Sequence, residues 1–168
     1  LGISCWPVAV RYAAAPLAVQ LIGYVDGDGR GAAGLEAAFD AALSGTGEGD
    51  TLTCLVNAQG RLRSEPEQTH TDSGAVGVQL TLSRPVQRAA EAVAGRMMTT
   101  GCIVVLDAAN AEVRACVSVP GYNPADPAAS LNAADSPMLN RAFQSYAVGS
   151  VFKPVLAAAA LEAGETGL

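Results

Sequence analysis

Apolar positions fall in short blocks over the first half of the chain and in longer, better-phased blocks over the second. Residues 8–13 and 17–25 are apolar runs of strand length, parted by Ala13-Ala14-Ala15-Pro16. Asp26-Gly27-Asp28-Gly29-Arg30-Gly31 is dense in turn formers. From Gly34 to Leu43 the period changes: Leu35, Phe39 and Leu43 recur at four-residue spacing, with Glu36 and Asp40 off the stripe. That pattern predicts an amphipathic helix, with Gly45 suited to the position just past its end. Thr51 to Val56 reads as a strand, Asn57-Ala58-Gln59-Gly60 as a turn, and Arg61 onward as a returning strand. Residues 64–75 are polar and turn-rich and predict a linker or boundary.

The second half is more regular. Val76 to Leu82 alternates as a strand does. Ser83 suits a helix N-cap and Pro85 a first turn. The helix they open runs to about Met98, with Val86, Ala89, Ala90 and Val93 predicted on its buried side. Gly101 to Asp107 and Glu112 to Val119 are apolar runs around Ala108-Ala109-Asn110, which predicts a hairpin. Residues 120–137 form a long loop with four prolines, a length that in compact domains is often functional. A last helix is predicted from Gly149 or Ser150 through Val155, Leu156, Ala159 and Ala160 to a stop at Gly164.

Composition narrows the functions. Half of the residues are hydrophobic but only 5% are aromatic, so a core must be built from Ala, Val and Leu and stability should be modest. The net charge of −6 and the absence of clustered Lys and Arg exclude a nucleic-acid partner. Arg61 and Arg63 read as a solvated strand edge. The apolar start of the chain is interrupted by Pro7, Arg11 and Pro16, so it is not a membrane span, and it lacks a signal-peptide layout. The chain begins with Leu, which suggests an excised or processed product. The Asp26–Gly31 loop lacks the later acidic ligands of a calcium loop. Cys5, Cys54, Cys102 and Cys116 have no zinc-site spacing. They read as small buried hydrophobes, with a Cys102–Cys116 bridge across the hairpin left open. The single histidine, His70, reads as an exposed loop residue without partners.

One string carries chemistry: Tyr146-Ala147-Val148-Gly149-Ser150-Val151-Phe152-Lys153-Pro154. Ser150 and Lys153 form an S-x-x-K pair. At i and i+3 on a helix the two side chains share a face. A serine hydroxyl attacks well only when a base takes its proton, and a lysine serves when burial or neighbouring charge favours its neutral form. A helix start beside Ser150 offers free N–H groups to a developing oxyanion. The spacing alone is common; its surroundings matter more.

Gly149-Ser150-Val151-Phe152-Lys153-Pro154 resembles the nucleophile motif G-S-T-F-K-P of penicillin-binding proteins. Upstream, Asn140-Arg141-Ala142 with Tyr146 resembles the segment leading into that motif. Val104-Val105-Leu106-Asp107, Glu112-Val113 and Ser118-Val119-Pro120-Gly121-Tyr122-Asn123-Pro124 resemble the first transpeptidase hairpin and its exit loop. Val78 to Leu82 with Val86-Gln87 and Ala90-Glu91 resembles the strand and helix opening that domain. Leu21 to Val25 and Gly34 to Asp40 with Leu43-Ser44-Gly45 resemble the pedestal, or dimerisation, domain of class B members.

The resemblance implies an α+β fold, with a pedestal-like part over 1–75 and the start of a serine β-lactamase-like transpeptidase domain over 76–168. It implies D,D-transpeptidation of peptidoglycan stem peptides at the outer face of the bacterial cytoplasmic membrane, with β-lactams acylating the same serine. Ser150 would be the nucleophile and Lys153 the general base, without metal or organic cofactor. A homodimer and other cell-wall synthesis proteins are the further partners it admits.

Val148 stands where the family often has Pro, Val151 where Thr is frequent, and Ser83 where Asp is usual. The family also needs S-x-N and K-T-G downstream, and residues 151–168 contain neither. The chain is therefore expected to be a fragment, inactive by itself. The alternatives are a non-catalytic scaffold or dimerisation module, and a degenerate gene product.

Overall fold

The computed structural model describes residues 11–44, 50–65, 67–70 and 76–165. Its organising unit is a helix laid on a hairpin. Helix α4 spans Arg84–Met97, and strands β3 (Gly101–Leu106) and β4 (Val113–Val119) pair antiparallel, Val104 opposite Cys116. Alternation gives the hairpin two faces. Ala115 and Val117 turn toward Ala90 and Ala94 of α4, with Val86, Ile103, Val105 and Met98 packed around them. Small alanines let the helix approach closely, and Ala94 and Ala115 are wholly buried.

The buried stripe of α4 is not quite the expected one. Gln87, Ala90 and Ala94 are buried, while Ala89 and Val93 are exposed. A hydrogen-bonding requirement overrides apolar periodicity here. The N–H of Cys116 donates to Gln87 Oε1 at 2.8 Å, and Gln87 Nε2 donates to the Cys116 carbonyl at 3.0 Å. Both backbone groups of Cys116 point away from β3, and the Gln87 amide serves as the missing ladder partner. Two neighbouring contacts continue the seal on that edge: the Ser83 N–H donates to the Arg114 carbonyl at 2.8 Å, and Thr81 Oγ1 to the Val113 carbonyl at 2.8 Å.

The first half departs further from its pattern. The expected strand over 17–25 is instead a single helical turn, α1 (Val19–Ile22), closed by Gly23 at φ 86°. Only Val25 keeps an extended pairing, a bridge to Gly31. Of the expected strand over 8–13, residues 8–10 lie outside the described residues. The helix over 34–43 is broken at Phe39 into α2 (Gly34–Ala38) and α3 (Asp40–Ser44). Asp40 Oδ1 there accepts from the Gly31 N–H and the Ser44 hydroxyl. These two bonds hold the carboxyl below the usual carboxylate range. The apolar stripe survives the break: Leu35, Phe39 and Leu43 line a cleft with Ile22, Val78 and Leu80.

The expected linker over 64–75 contains a strand. Strand β1 (Asp50–Thr53) pairs antiparallel with β2 (Glu67–His70), and Val56 bridges Leu62 nearer the turn. Ladder pairing, not hydrophobicity, defines β2. His70 therefore ends a strand instead of sitting in a loop. Conversely, residues 76–82 are extended but join no ladder among the described residues; their alternation marks which side chains turn inward.

The α1 segment docks on the helix–hairpin unit. The Ala18 N–H donates to Glu91 Oε1 at 2.7 Å, and Tyr122 donates its hydroxyl to the Val19 carbonyl at 3.0 Å. Gln20 Nε2 donates to the carbonyls of Pro120 and Pro137, clasping both ends of the long loop. Tyr122 stacks edge-on against Tyr24, their ring centroids 6.1 Å apart. Burial, with smaller effects from Tyr24 and Tyr12, pushes the Tyr122 hydroxyl up to about 12. Its folded value lies above the unfolded one near 10, so the neutral phenol stabilises the fold below about pH 10. That contribution fades as pH rises from about 10 to 12. A spectrophotometric titration should show a late-titrating phenol that is lost in Tyr122→Phe. A uniform titration near pH 10 would contradict the docking.

Candidate active site

Ser150 and Lys153 are set by the way the chain leaves the core. Beyond β4 the loop carries a short 3-10 turn at Pro127–Ser130 and another at Arg141–Phe143, where Asn140 caps the Ala142 N–H with its side chain. The run ends in a 3-10 turn over Gly149–Phe152, followed by helix α5 (Lys153–Glu162). Gly149 enters that turn at φ 54°, a left-handed conformation that favours glycine. Pro154 lies in the first turn of α5, where its missing N–H costs nothing.

The helix was expected to begin at Gly149 or Ser150; α-helical geometry starts at Lys153 instead. The pair is still brought together. The Lys153 N–H donates to the Ser150 carbonyl, closing a three-residue turn. In 3-10 geometry residues i and i+3 eclipse, so Ser150 and Lys153 share one face more strictly than on an α-helix. Among the described residues the Ser150 N–H has no backbone acceptor, leaving it available to an oxyanion. Both side chains are exposed. Val151, Val155, Leu156 and Leu161 are exposed too, and among the described elements α5 packs only against the turn before it. A helix this apolar on all sides is normally covered.

Other candidates are not drawn in. No group of three or more His, Cys, Asp or Glu suited to a metal occurs among the described residues. Cys54, Cys102 and Cys116 are free thiols; Cys5 lies outside the described residues. Cys102 faces Ser118, not Cys116, across the hairpin. The two cysteines are thus diagonal neighbours, a spacing too wide for a ready bridge. Burial, with a smaller effect from Cys102, pushes the Cys116 thiol up. No helix among the described residues is long and apolar enough to cross a membrane.

Two features escaped the apolar pattern. Gln87 was legible only as the i, i+4 partner of Glu91, to which its Nε2 donates at 2.8 Å. Ser130-Leu131-Asn132 spells S-x-N, but it precedes Ser150 and its serine lines a cavity of about 690 Å³ beside Tyr122 and Glu91.

Helix on hairpin, long exit loop and serine–lysine turn follow one another in that order along the chain. Over most of its length the chain is similar to penicillin-binding proteins. Residues 101–166 match the family described as penicillin binding protein transpeptidase domain. The chain is 32% identical over 167 residues to the probable peptidoglycan D,D-transpeptidase PenA of Neisseria meningitidis serogroup A, covering 94% of this chain and 28% of that protein. It is 30% identical over 160 residues to the probable peptidoglycan D,D-transpeptidase PbpC of Pseudomonas aeruginosa, covering 92% and 27%. Among solved structures it resembles a penicillin-binding protein, PBP2, from Helicobacter pylori, with a TM-score of 0.64 and 25% identity over 87% of this chain and 32% of that one. The chain thus spans just over a quarter of the length of these curated relatives.

Proposed function

We propose that this chain supplies the nucleophile segment of a peptidoglycan D,D-transpeptidase. The observation that carries the reading is the Ser150–Lys153 turn lying inside the stretch that matches the transpeptidase family. Ser150 Oγ attacks the carbonyl of the D-Ala–D-Ala bond as its proton passes to Lys153 Nζ. The tetrahedral oxyanion takes the Ser150 N–H as one donor. Collapse expels D-alanine, whose nitrogen receives the proton, and leaves an acyl-serine. An amine of a second stem peptide then attacks the acyl carbon, yields the cross-link and frees Ser150. A β-lactam enters the same first step, its ring nitrogen taking the proton.

A lysine works as base when its charged form is desolvated. We infer that the exposed face of α5 must be covered for turnover, and that S-x-N and K-T-G elements beyond residues 151–168 complete the site. The natural setting of this chemistry is the outer face of the bacterial cytoplasmic membrane. Residues 1–75 are assigned to a pedestal unit and 76–168 to the transpeptidase unit, with α1 seated on the latter. A second reading, a dimerisation scaffold, draws on the bare apolar surface of α5.

Fluorescent penicillin tests the proposal. The 168-residue chain should take no stoichiometric label, while the product of the complete reading frame should be acylated, with the adduct on the peptide holding Ser150. Label on another residue, or none on the complete product, refutes the assignment. Sedimentation showing a concentration-dependent dimer with no labelling would favour the scaffold.

A further inference from the structure

Between β4 and the nucleophile turn the chain makes an excursion of residues 120–148 before it reaches Ser150. One side chain gathers the end of that excursion. Arg141 is only 8% exposed, although it lies on a surface loop. Its Nη1 donates to the Ser136 carbonyl at 3.2 Å and its Nη2 to the Asp135 carbonyl at 2.6 Å. The fork of the guanidinium suits two adjacent carbonyls, and a lysine ammonium would not hold both in one geometry. The Arg141 N–H donates to Ser118 Oγ at 3.1 Å, and that hydroxyl donates onward to the Leu139 carbonyl at 3.0 Å. Arg141 is therefore pinned to β4 by its backbone and to its own loop by its side chain.

The pin is passed forward. Tyr146 donates its hydroxyl to the Arg141 carbonyl at 2.8 Å. Among the described residues this is the last hydrogen bond before Ser150 that leads back to the core. Beyond it, residues 147–165 bond, among the described residues, only with one another. Tyr146 is 58% exposed, so its hydroxyl adds little to the core but closes the five-residue span to Arg141.

We infer that Arg141 and Tyr146 form a latch that positions Ser150, carrying the rigidity of β4 through Ser118, Arg141 and Tyr146 to the turn that presents the nucleophile. Neither residue touches the reacting atoms; both are positioning residues. The inference rests on Ser150 being the nucleophile. The physical reason is that acyl transfer is sensitive to displacements of about 1 Å in the attacking atom. A turn held only by its own i+3 bonds lacks that precision.

Tyr146→Phe removes the hydroxyl and leaves the ring. In the 168-residue chain, backbone order parameters at 149–151 should fall from about 0.85 to below about 0.6, while those of β3 and β4 hold. In the product of the complete reading frame, the acylation rate constant for a fluorescent penicillin should fall about threefold to tenfold, in line with one lost hydrogen bond. Noncovalent affinity and melting temperature should stay unchanged. Arg141→Lys should slow acylation at least as much. Unchanged order at 149–151 in Tyr146→Phe overturns the latch, as does an unchanged acylation rate. If the wild-type product takes no label at Ser150, the nucleophile assignment fails, and the relaxation measurement still decides the latch.

Discussion

Gln87→Leu is expected to destabilise the chain by about 3 kcal/mol, the largest loss anticipated for a single uncharged substitution here. The replacement is close in volume and apolar, so a rule that apolar residues belong inside would predict a gain. The geometry predicts the opposite. Gln87 is 2% exposed and satisfies both the N–H and the carbonyl of Cys116, and it also donates to Glu91. Leucine offers none of these. Each buried backbone group left unpaired costs about 1–3 kcal/mol, partly offset by the apolar gain of the leucine. Against a total stability of about 5–15 kcal/mol for an ordinary domain, that loss is severe. Urea denaturation should show a lower midpoint at unchanged slope. A shift worth less than about 1 kcal/mol would mean that the free edge of β4 does not need the amide.

Loss of the proposed nucleophile is the second large effect. In the product of the complete reading frame, Ser150→Ala should abolish covalent penicillin labelling, since in the proposed mechanism Ser150 Oγ is the atom that takes the acyl group. Lys153→Met should slow acylation by roughly 10²–10⁴-fold, the usual contribution of a positioned general base. Both residues are exposed. Substitutions there typically change stability by only about 0.5 kcal/mol, so melting temperatures should barely move. Residual labelling of Ser150→Ala at the wild-type rate would place the nucleophile elsewhere. A Lys153→Met protein acylated normally would transfer the base role to another group.

These two effects act at opposite ends of one construction. Gln87 seals the free edge of β4. That strand, through Ser118, holds Arg141 and hence the approach to Ser150. The same strand packs Ala115 and Val117 on α4 with its other face. A loss at Gln87 should therefore loosen the nucleophile turn as well as the core, whereas a loss at Tyr146 should loosen the turn alone.

Much of the second half was legible in the chain itself. The hairpin around 108–110 and the extent of α4 follow from apolar runs, a turn triplet and a proline in the first helical turn, all properties of neighbouring residues. The S-x-x-K spacing likewise forces Ser150 and Lys153 onto one face in either helical geometry. The α+β class follows from these elements.

Tertiary structure decided the rest, because the deciding partners lie far away in sequence. Glu67–His70 is polar and becomes a strand only through pairing with Asp50–Thr53. Residues 76–82 alternate as a strand would, yet they join no ladder among the described residues; Thr81 reaches β4 through its side chain and Ser83, just beyond, through its N–H. Gln87 is buried because Cys116, twenty-nine residues on, has two backbone groups to satisfy. Periodicity reports where a side chain prefers to point. Which hydrogen-bonding group it meets there is set only when the chain has folded back on itself.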